Sequence, residues 1–259
     1  MQTLAKSIIL IFTVSVVLLV SCGSLNPQKQ GTQPISHSTF DELLKKYVDR
    51  NGNVNYAGLL MEKSKLDSYL KTLEVTPPNE ANWSKNEQLA YWINAYNAFT
   101  IQLILKHYPI KSIKDIGTKI QIPFINTPWD VKFITINGKK YDLNNIEHGI
   151  LRKNYDEPRI HFAIVCASFS CPKLRAEAYT GDKLDMQLTE QAKEFLGDPA
   201  RNQISKSEVK LSKIFSWFKG DFTKNGSLID FLNRYSSVQI SQKARVSHLD
   251  YDWSLNEQK

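Results

Sequence analysis

Residues 84–108 read SKNEQLAYWINAYNAFTIQLILKHY, and this stretch decides the fold. Ser84 with Glu87 three places later is a capping box, which writes a helix start into the sequence. Pro109 marks the stop, because its ring excludes a helical conformation for the residue before it. Between those marks apolar side chains cover every face rather than one stripe, so the rest of the chain must wrap the helix. At ~1.5 Å per residue it runs about 35 Å, the width of a small domain. Asn94, Asn97 and Gln102 interrupt the run and exclude a membrane span. Asn94 and Asn97 are three apart and share a face. A buried amide left unpaired costs about 1–3 kcal/mol, so each needs a specific partner. Either the pair locks a neighbouring loop by its backbone, or it orients a catalytic group or binds a ligand.

Toward the N-terminus the chain changes character. Lys6 is followed by the apolar run IILIFTVSVVLLV and then Ser21-Cys22, the pattern of a secretory signal over residues 1–21. Leu19-Val20-Ser21-Cys22 resembles a bacterial lipobox, which implies cleavage before Cys22 and diacylation of that cysteine by palmitate-type chains. The alternative is an uncleaved anchor helix. Residues 22–36 form a lipidated start and a short polar tether. Residues 37–259 fall within the range of one large domain. The expected location is the bacterial cell envelope, with the domain in the periplasm or outside and the membrane as a partner through Cys22.

The formal charge is +7 on 259 residues. No run of Lys and Arg interleaved with aromatics tracks a nucleic-acid backbone, so nucleic acid is not an expected partner. Solvated lysines account for the excess, with anionic envelope polymers or lipid head groups as the alternative.

Further along, Thr39-Phe40-Asp41-Glu42 predicts a second capped helix, and residues 58–74 a third. Residues 131–136 alternate, Asn137-Gly138 is a type I′ hairpin signal, and 139–141 return. Asp142 caps a helix over 143–152. RIHFAIVC, residues 159–166, reads as a central strand. Cys171-Pro172 predicts a short helix, residues 183–196 a longer one, and 209–211 a strand. Short helices are expected at 217–222 and 228–235, with extended chain at 238–240 and 248–253. The fold class is α+β: a single domain with a long buried central helix, N-terminal helices and a mostly antiparallel sheet.

Cys171 is the first candidate for chemistry. A proline at the first helical position would place Cys171 at an N-cap, where the dipole lowers a thiol's pKa. A nucleophilic thiolate also needs a base, and His161 and His148 are the candidates. Asn97, Asn94 or Glu147 would orient the imidazole. The chain order is His before Cys, the reverse of papain-like enzymes. Against this stands a loop disulfide between Cys166 and Cys171, as expected in an exported protein. A zinc site from Cys166, Cys171, His148 and His161 lacks paired ligand spacing, so no metal or cofactor is expected.

Five stretches in order carry a family resemblance: WINAYN (92–97), IEHGILR (146–152), HFAIVC (161–166), SCP (170–172) and IFSWFKGDF (214–222). Together they resemble the domain of unknown function 547 (DUF547), over roughly 40–253. Similar domains occur in intracellular eukaryotic proteins, which implies that the Cys-Pro element need not be a disulfide. The resemblance implies no catalytic role. The leading expectation is a cysteine-dependent hydrolase or acyl transferase of the envelope, with Cys171 as nucleophile and His161 or His148 as base. The alternative is a lipid-anchored binding or scaffolding module, in which Asn94, Glu147 and Cys166 serve an envelope ligand.

Overall fold

A computed structural model describes residues 32–117 and 127–259. The signal segment, Cys22 and most of the expected tether lie outside the described residues. Four helices lead: α1 (Ser38–Tyr47), α2 (Tyr56–Met61), α3 (Lys63–Val75) and α4 (Lys85–His107). None of the described helices is long and apolar enough to cross a membrane.

α4 is the buried rod expected from its composition. Ser84 Oγ accepts the Glu87 N–H at 3.2 Å, and Glu87 Oε2 accepts the Ser84 N–H at 2.7 Å. Tyr108 leaves the helix in an extended conformation ahead of Pro109. Fifteen of its 23 residues are buried, so α4 shows solvent almost no face. α2, α3 and the segment around Glu147 pack against it.

The other leading helices differ from their sequence signals. α1 begins at Ser38 with His37 as its cap residue, so Thr39 lies inside the helix and caps nothing. The helix expected over 58–74 is two. Glu62, at φ −109°, separates them, and its carboxylate is tied to α1 by Lys46 and by the Tyr47 hydroxyl at 2.9 Å.

The strands are short. β1 (Ile134–Ile136) and β2 (Lys139–Tyr141) form the expected hairpin, Ile134 opposite Tyr141. Asn137 and Gly138 take φ of 50° and 75°, the positive values that a type I′ turn requires. The hairpin leads into a helical segment that ends in the short α5 (Arg152–Asn154). β3 (Gln203–Ile204) and β4 (Glu208–Leu211) pair antiparallel, and β5 (Arg245–His248) joins β4 in parallel. The strand content is thus two small sheets, antiparallel in two of three pairings.

Two expectations around the candidate cysteines are corrected. Residues 159–166 form no strand. Pro158 opens a 3-10 turn, Pro158–Phe162, which Glu157 caps by accepting the Arg159 N–H at 3.1 Å. No helix follows Cys171-Pro172 either, so Cys171 is not an N-cap. From 163 to 183 the chain is irregular until α6 (Leu184–Gly197) begins.

Buried irregular backbone must find partners for its N–H and C=O groups. Here side-chain amides supply them. Asn97 donates to the Ala163 carbonyl (2.9 Å) and accepts the Val165 N–H (2.9 Å). Asn94 does the same for both backbone groups of Tyr179, at 2.7 and 3.0 Å. From the other side α6 contributes Gln187, which takes the Ala178 carbonyl and the Thr180 N–H, and Gln191, which donates to the carbonyls of Phe162 and Lys173. Arg201, also buried, holds the carbonyls of Phe169 (2.7 Å) and Cys171 (2.5 Å). The packing-lock reading of Asn94 and Asn97 is therefore the observed geometry.

α7 (Ile214–Trp217), α8 (Lys219–Phe222) and α9 (Leu228–Asn233) enclose a second apolar cluster in which Phe162 stacks on Phe195 and Phe222. The chain then ends as a strap. Ser254 and Asp252 carbonyls accept the N–H groups of Phe169 (2.7 Å) and Ser170 (3.1 Å), and the Asn256 N–H reaches the Ala167 carbonyl at 3.2 Å.

Replacing Asn97 by Ala should leave two buried backbone groups unpaired and cost roughly 2–4 kcal/mol. Ser84→Ala, at the exposed cap, should cost about 1 kcal/mol. Urea denaturation of both variants checks this, and equal small losses would contradict it.

Candidate functional site

Asp142 starts the segment after the hairpin, its Oδ1 accepting the Asn145 N–H at 2.6 Å. The chain then winds into a π-helical turn, Asn145–Leu151, and runs on into α5, where a plain α-helix was expected. Such wide turns are rare and gather at functional sites. This one buries Glu147 and leaves its neighbour His148 exposed. The Tyr96 hydroxyl of α4 donates to the Glu147 carboxyl. Burial nevertheless dominates and pushes Glu147 up to about 7, against Tyr96 and the Arg152 guanidinium. Desolvation, then Arg152, holds His148 below the usual histidine value.

His161 leaves the 3-10 turn toward the same place. Its ring stacks on Phe218 at 3.9 Å between centroids, and its Nε2–H donates to Asp221 Oδ2 at 2.7 Å. Asp221, from α8, also accepts Arg152 Nε at 2.6 Å and Nη2 at 2.9 Å. His161 and Arg152 together hold the Asp221 carboxyl far below the usual carboxylate range. Burial lowers the proton affinity of His161 more than Asp221 restores it, so the ring is neutral at pH 7 with its proton on Nε2.

Cys166 and Cys171 are joined in a disulfide, Cα atoms 6.3 Å apart. Cys171 is buried and Cys166 partly so. The Cys166 N–H points at Cys171 Sγ at 3.0 Å, and Ser168 Oγ and Tyr251 Oη lie 3.1 and 3.4 Å from Cys166 Sγ. Between them Ala167 takes φ 58°, a left-handed conformation costly for a residue with a Cβ. Asn97, through Val165 two residues before, and the C-terminal strap after it hold that bend.

These groups meet in one place. Glu147, His148, His161, Cys166 and Cys171 line an open pocket of about 190 Å³, and Tyr96, Trp129, Trp217, Phe218, Tyr251 and Trp253 supply its aromatic walls. Trp217, Tyr251 and Trp253 pack on one another with centroids 4.5–5.8 Å apart. Asn94 and Asn97 do not line it. They act one layer back, on the backbone that carries His161 and the cysteines. Asp221, Arg152 and most of the aromatic wall were not among the residues expected from the sequence. Asp221 and Arg152 sit inside two of the family-like stretches, but nothing local shows that they bond each other 69 residues apart. Among the described residues no group of three or more His, Cys, Asp or Glu side chains is placed to hold a metal ion.

Residues 80–196 match the family described as protein of unknown function, DUF547. That stretch, less than half of the 259 residues, is similar to DUF547. The match is narrower than the resemblance over 40–253, and it takes in α4, the π turn, His161, both cysteines and α6. The matched stretch thus supplies Glu147, His148, His161 and both cysteines to the pocket, while Trp217, Phe218, Tyr251 and Trp253, and the Asp221 that holds His161, come from chain beyond it. No curated protein and no solved structure matches the chain.

Glu147 gives a prediction of definite sign. Its folded value of about 7 lies above the ordinary 4.5, so between those pH values the folded chain keeps a proton that the unfolded chain has released. Its contribution to stability therefore falls as pH rises through that window. Glu147→Gln removes this dependence. The Tm of the variant minus that of the wild type should grow by several degrees from pH 5 to pH 8, and a difference independent of pH would contradict the buried carboxyl.

Proposed function

We propose that this protein is a lipid-anchored envelope module that binds a small organic ligand in the aromatic pocket. The observation that carries this reading is the pocket itself: apolar rings around a buried, protonatable carboxyl, the composition of a ligand site. The Cys166–Cys171 disulfide supports it. A sulfur in a disulfide is not a thiolate nucleophile, and the loop it closes is part of the pocket wall. The anchor rests on the Leu19-Val20-Ser21-Cys22 pattern, and the envelope location follows from the anchor.

One observation favours a second reading, a cysteine-dependent hydrolase or acyl transferase. The Asp221–His161 hydrogen bond is the orienting half of a nucleophile–base–acid triad. After two-electron reduction of the disulfide by an external thiol, Cys171 would lose its proton to Nδ1 of His161 and attack an acyl carbon. The leaving group would take that proton back, and water or an acceptor would release the acyl group. In this reading Asp221 fills the orienting role foreseen for Asn97, Asn94 or Glu147.

Mass spectrometry after iodoacetamide treatment tests the disulfide that supports the binding reading. Without reductant, neither Cys166 nor Cys171 should be alkylated, and both should be after reduction and unfolding. Rapid labelling of Cys171 in the folded, unreduced chain, with an apparent pKa well below 8.5, would overturn the binding reading in favour of catalysis. The same spectra should find Cys22 as an acylated N-terminus, and a chain still beginning at Met1 would overturn the anchor.

A further inference from the structure

The pocket's chemistry narrows its ligand. An aromatic ring presents a negative face, and a cation placed over several such rings is held by the summed quadrupoles. The protein's own side chains already use this on the pocket's walls. Lys114 Nζ lies 3.9 Å from the centre of the Trp253 ring, and the Arg152 guanidinium 5.1 Å from that of Phe218.

The charges around the pocket point the same way. Glu147 is buried, and the positive charge acting on it is Arg152, whose guanidinium is already engaged by both oxygens of Asp221. The pocket residue Asn144 donates to the Asp130 carboxylate at 2.7 Å. Burial and Arg152 lower the proton affinity of His161, and partial desolvation with Arg152 lowers that of His148. A neutral apolar ligand would bring no charge to the Glu147 carboxyl, which Tyr96 and Arg152 already favour in its ionised form. A cation would bring one.

We propose that the pocket recognises a small alkylammonium group, seated among the rings of Trp129, Trp217, Tyr251 and Tyr96 with Glu147 as its counter-ion. This rests on the ligand-binding reading above and names the class of ligand. A pocket of about 190 Å³ has room for a trimethylammonium head. Lipid head groups and free amines carry the same group, and the recognition is of the ammonium, not of its source.

The pH dependence comes from the groups that face Glu147: Tyr96 from α4, Arg152 and His148 from the π turn and α5, Asp221 from α8, His161 from the 3-10 turn, and Tyr251 from the strap. Among these Glu147 is the group that titrates near pH 7. Ammonium binding therefore requires it to ionise, and affinity should rise about tenfold from pH 6 to pH 8.

The test is calorimetric titration of the full chain with choline and with 3,3-dimethylbutan-1-ol, its neutral isostere, alongside fluorescence of the lining tryptophans. At pH 8 choline should bind at least tenfold more tightly than the alcohol, and at pH 6 most of that advantage should be lost. Glu147→Gln should abolish the advantage at both pH values. Trp217→Ala, which removes a half-exposed ring of the wall, should weaken choline several-fold with the circular dichroism spectrum unchanged. Equal affinities for the two probes overturn the ammonium assignment while leaving the pocket a binding site. So does an advantage that survives Glu147→Gln. Binding of neither probe overturns the ligand-binding reading as well.

Discussion

Two asparagine side chains hold this structure's chemistry in place. Residues 163–183 run through the interior with no helix or strand to pair their backbone, and an unpaired buried N–H or C=O costs about 1–3 kcal/mol. Asn97 and Asn94 on α4, with Gln187 and Gln191 on α6, offer an amide to each stretch of that chain, and an amide carries a separate donor and acceptor, so it can donate to a carbonyl and accept from an N–H together. The rigid rod of α4 thus fixes the height of His161, of the bend at Ala167 and of the disulfide loop. The long apolar helix is the support that makes an irregular wall possible.

That wall acquires its character from chain far away. α8 brings Asp221 to His161, and the C-terminal strap lays Tyr251 and Trp253 over the cysteine loop through backbone bonds to Phe169 and Ser170. The pocket closes only when residues 80–196 and the chain beyond them are both folded. Inside it, burial acts on neighbouring groups in opposite senses. It raises the Glu147 carboxyl to about 7 and keeps His161 uncharged, while Asp221 stays ionised because Arg152 and His161 satisfy it. The pocket therefore has on its wall a carboxyl, Glu147, whose charge changes near pH 7.

The sequence spoke clearly where local rules govern. The capping box of Ser84 and Glu87, the stop at Pro109 and the Asn137-Gly138 turn stand where their side chains put them. It misled where an apolar run met two possible structures. RIHFAIVC has the composition of a central strand, yet Pro158 and the Glu157 cap tighten its start into a 3-10 turn, and the amides of α4 and α6 pair the rest. Cys171-Pro172 has the form of a helix start, but Arg201 holds the carbonyls of Phe169 and Cys171 in a turn. His161, His148, Glu147 and the two cysteines were legible as candidates because their residue types are chemically conspicuous. Asp221, Arg152 and Trp217 were not, since their roles depend on contacts between segments that no spacing encodes.

The support that α4 gives to the irregular wall has a direct readout in amide hydrogen exchange. The N–H groups of Val165 and Tyr179 donate to the side-chain oxygens of Asn97 and Asn94. If those amides hold the wall, both protons exchange as slowly as the core amides of α4, through global unfolding alone. Rapid exchange at Val165 and Tyr179 while α4 stays protected would show that the wall opens by itself and that the asparagines do not hold it.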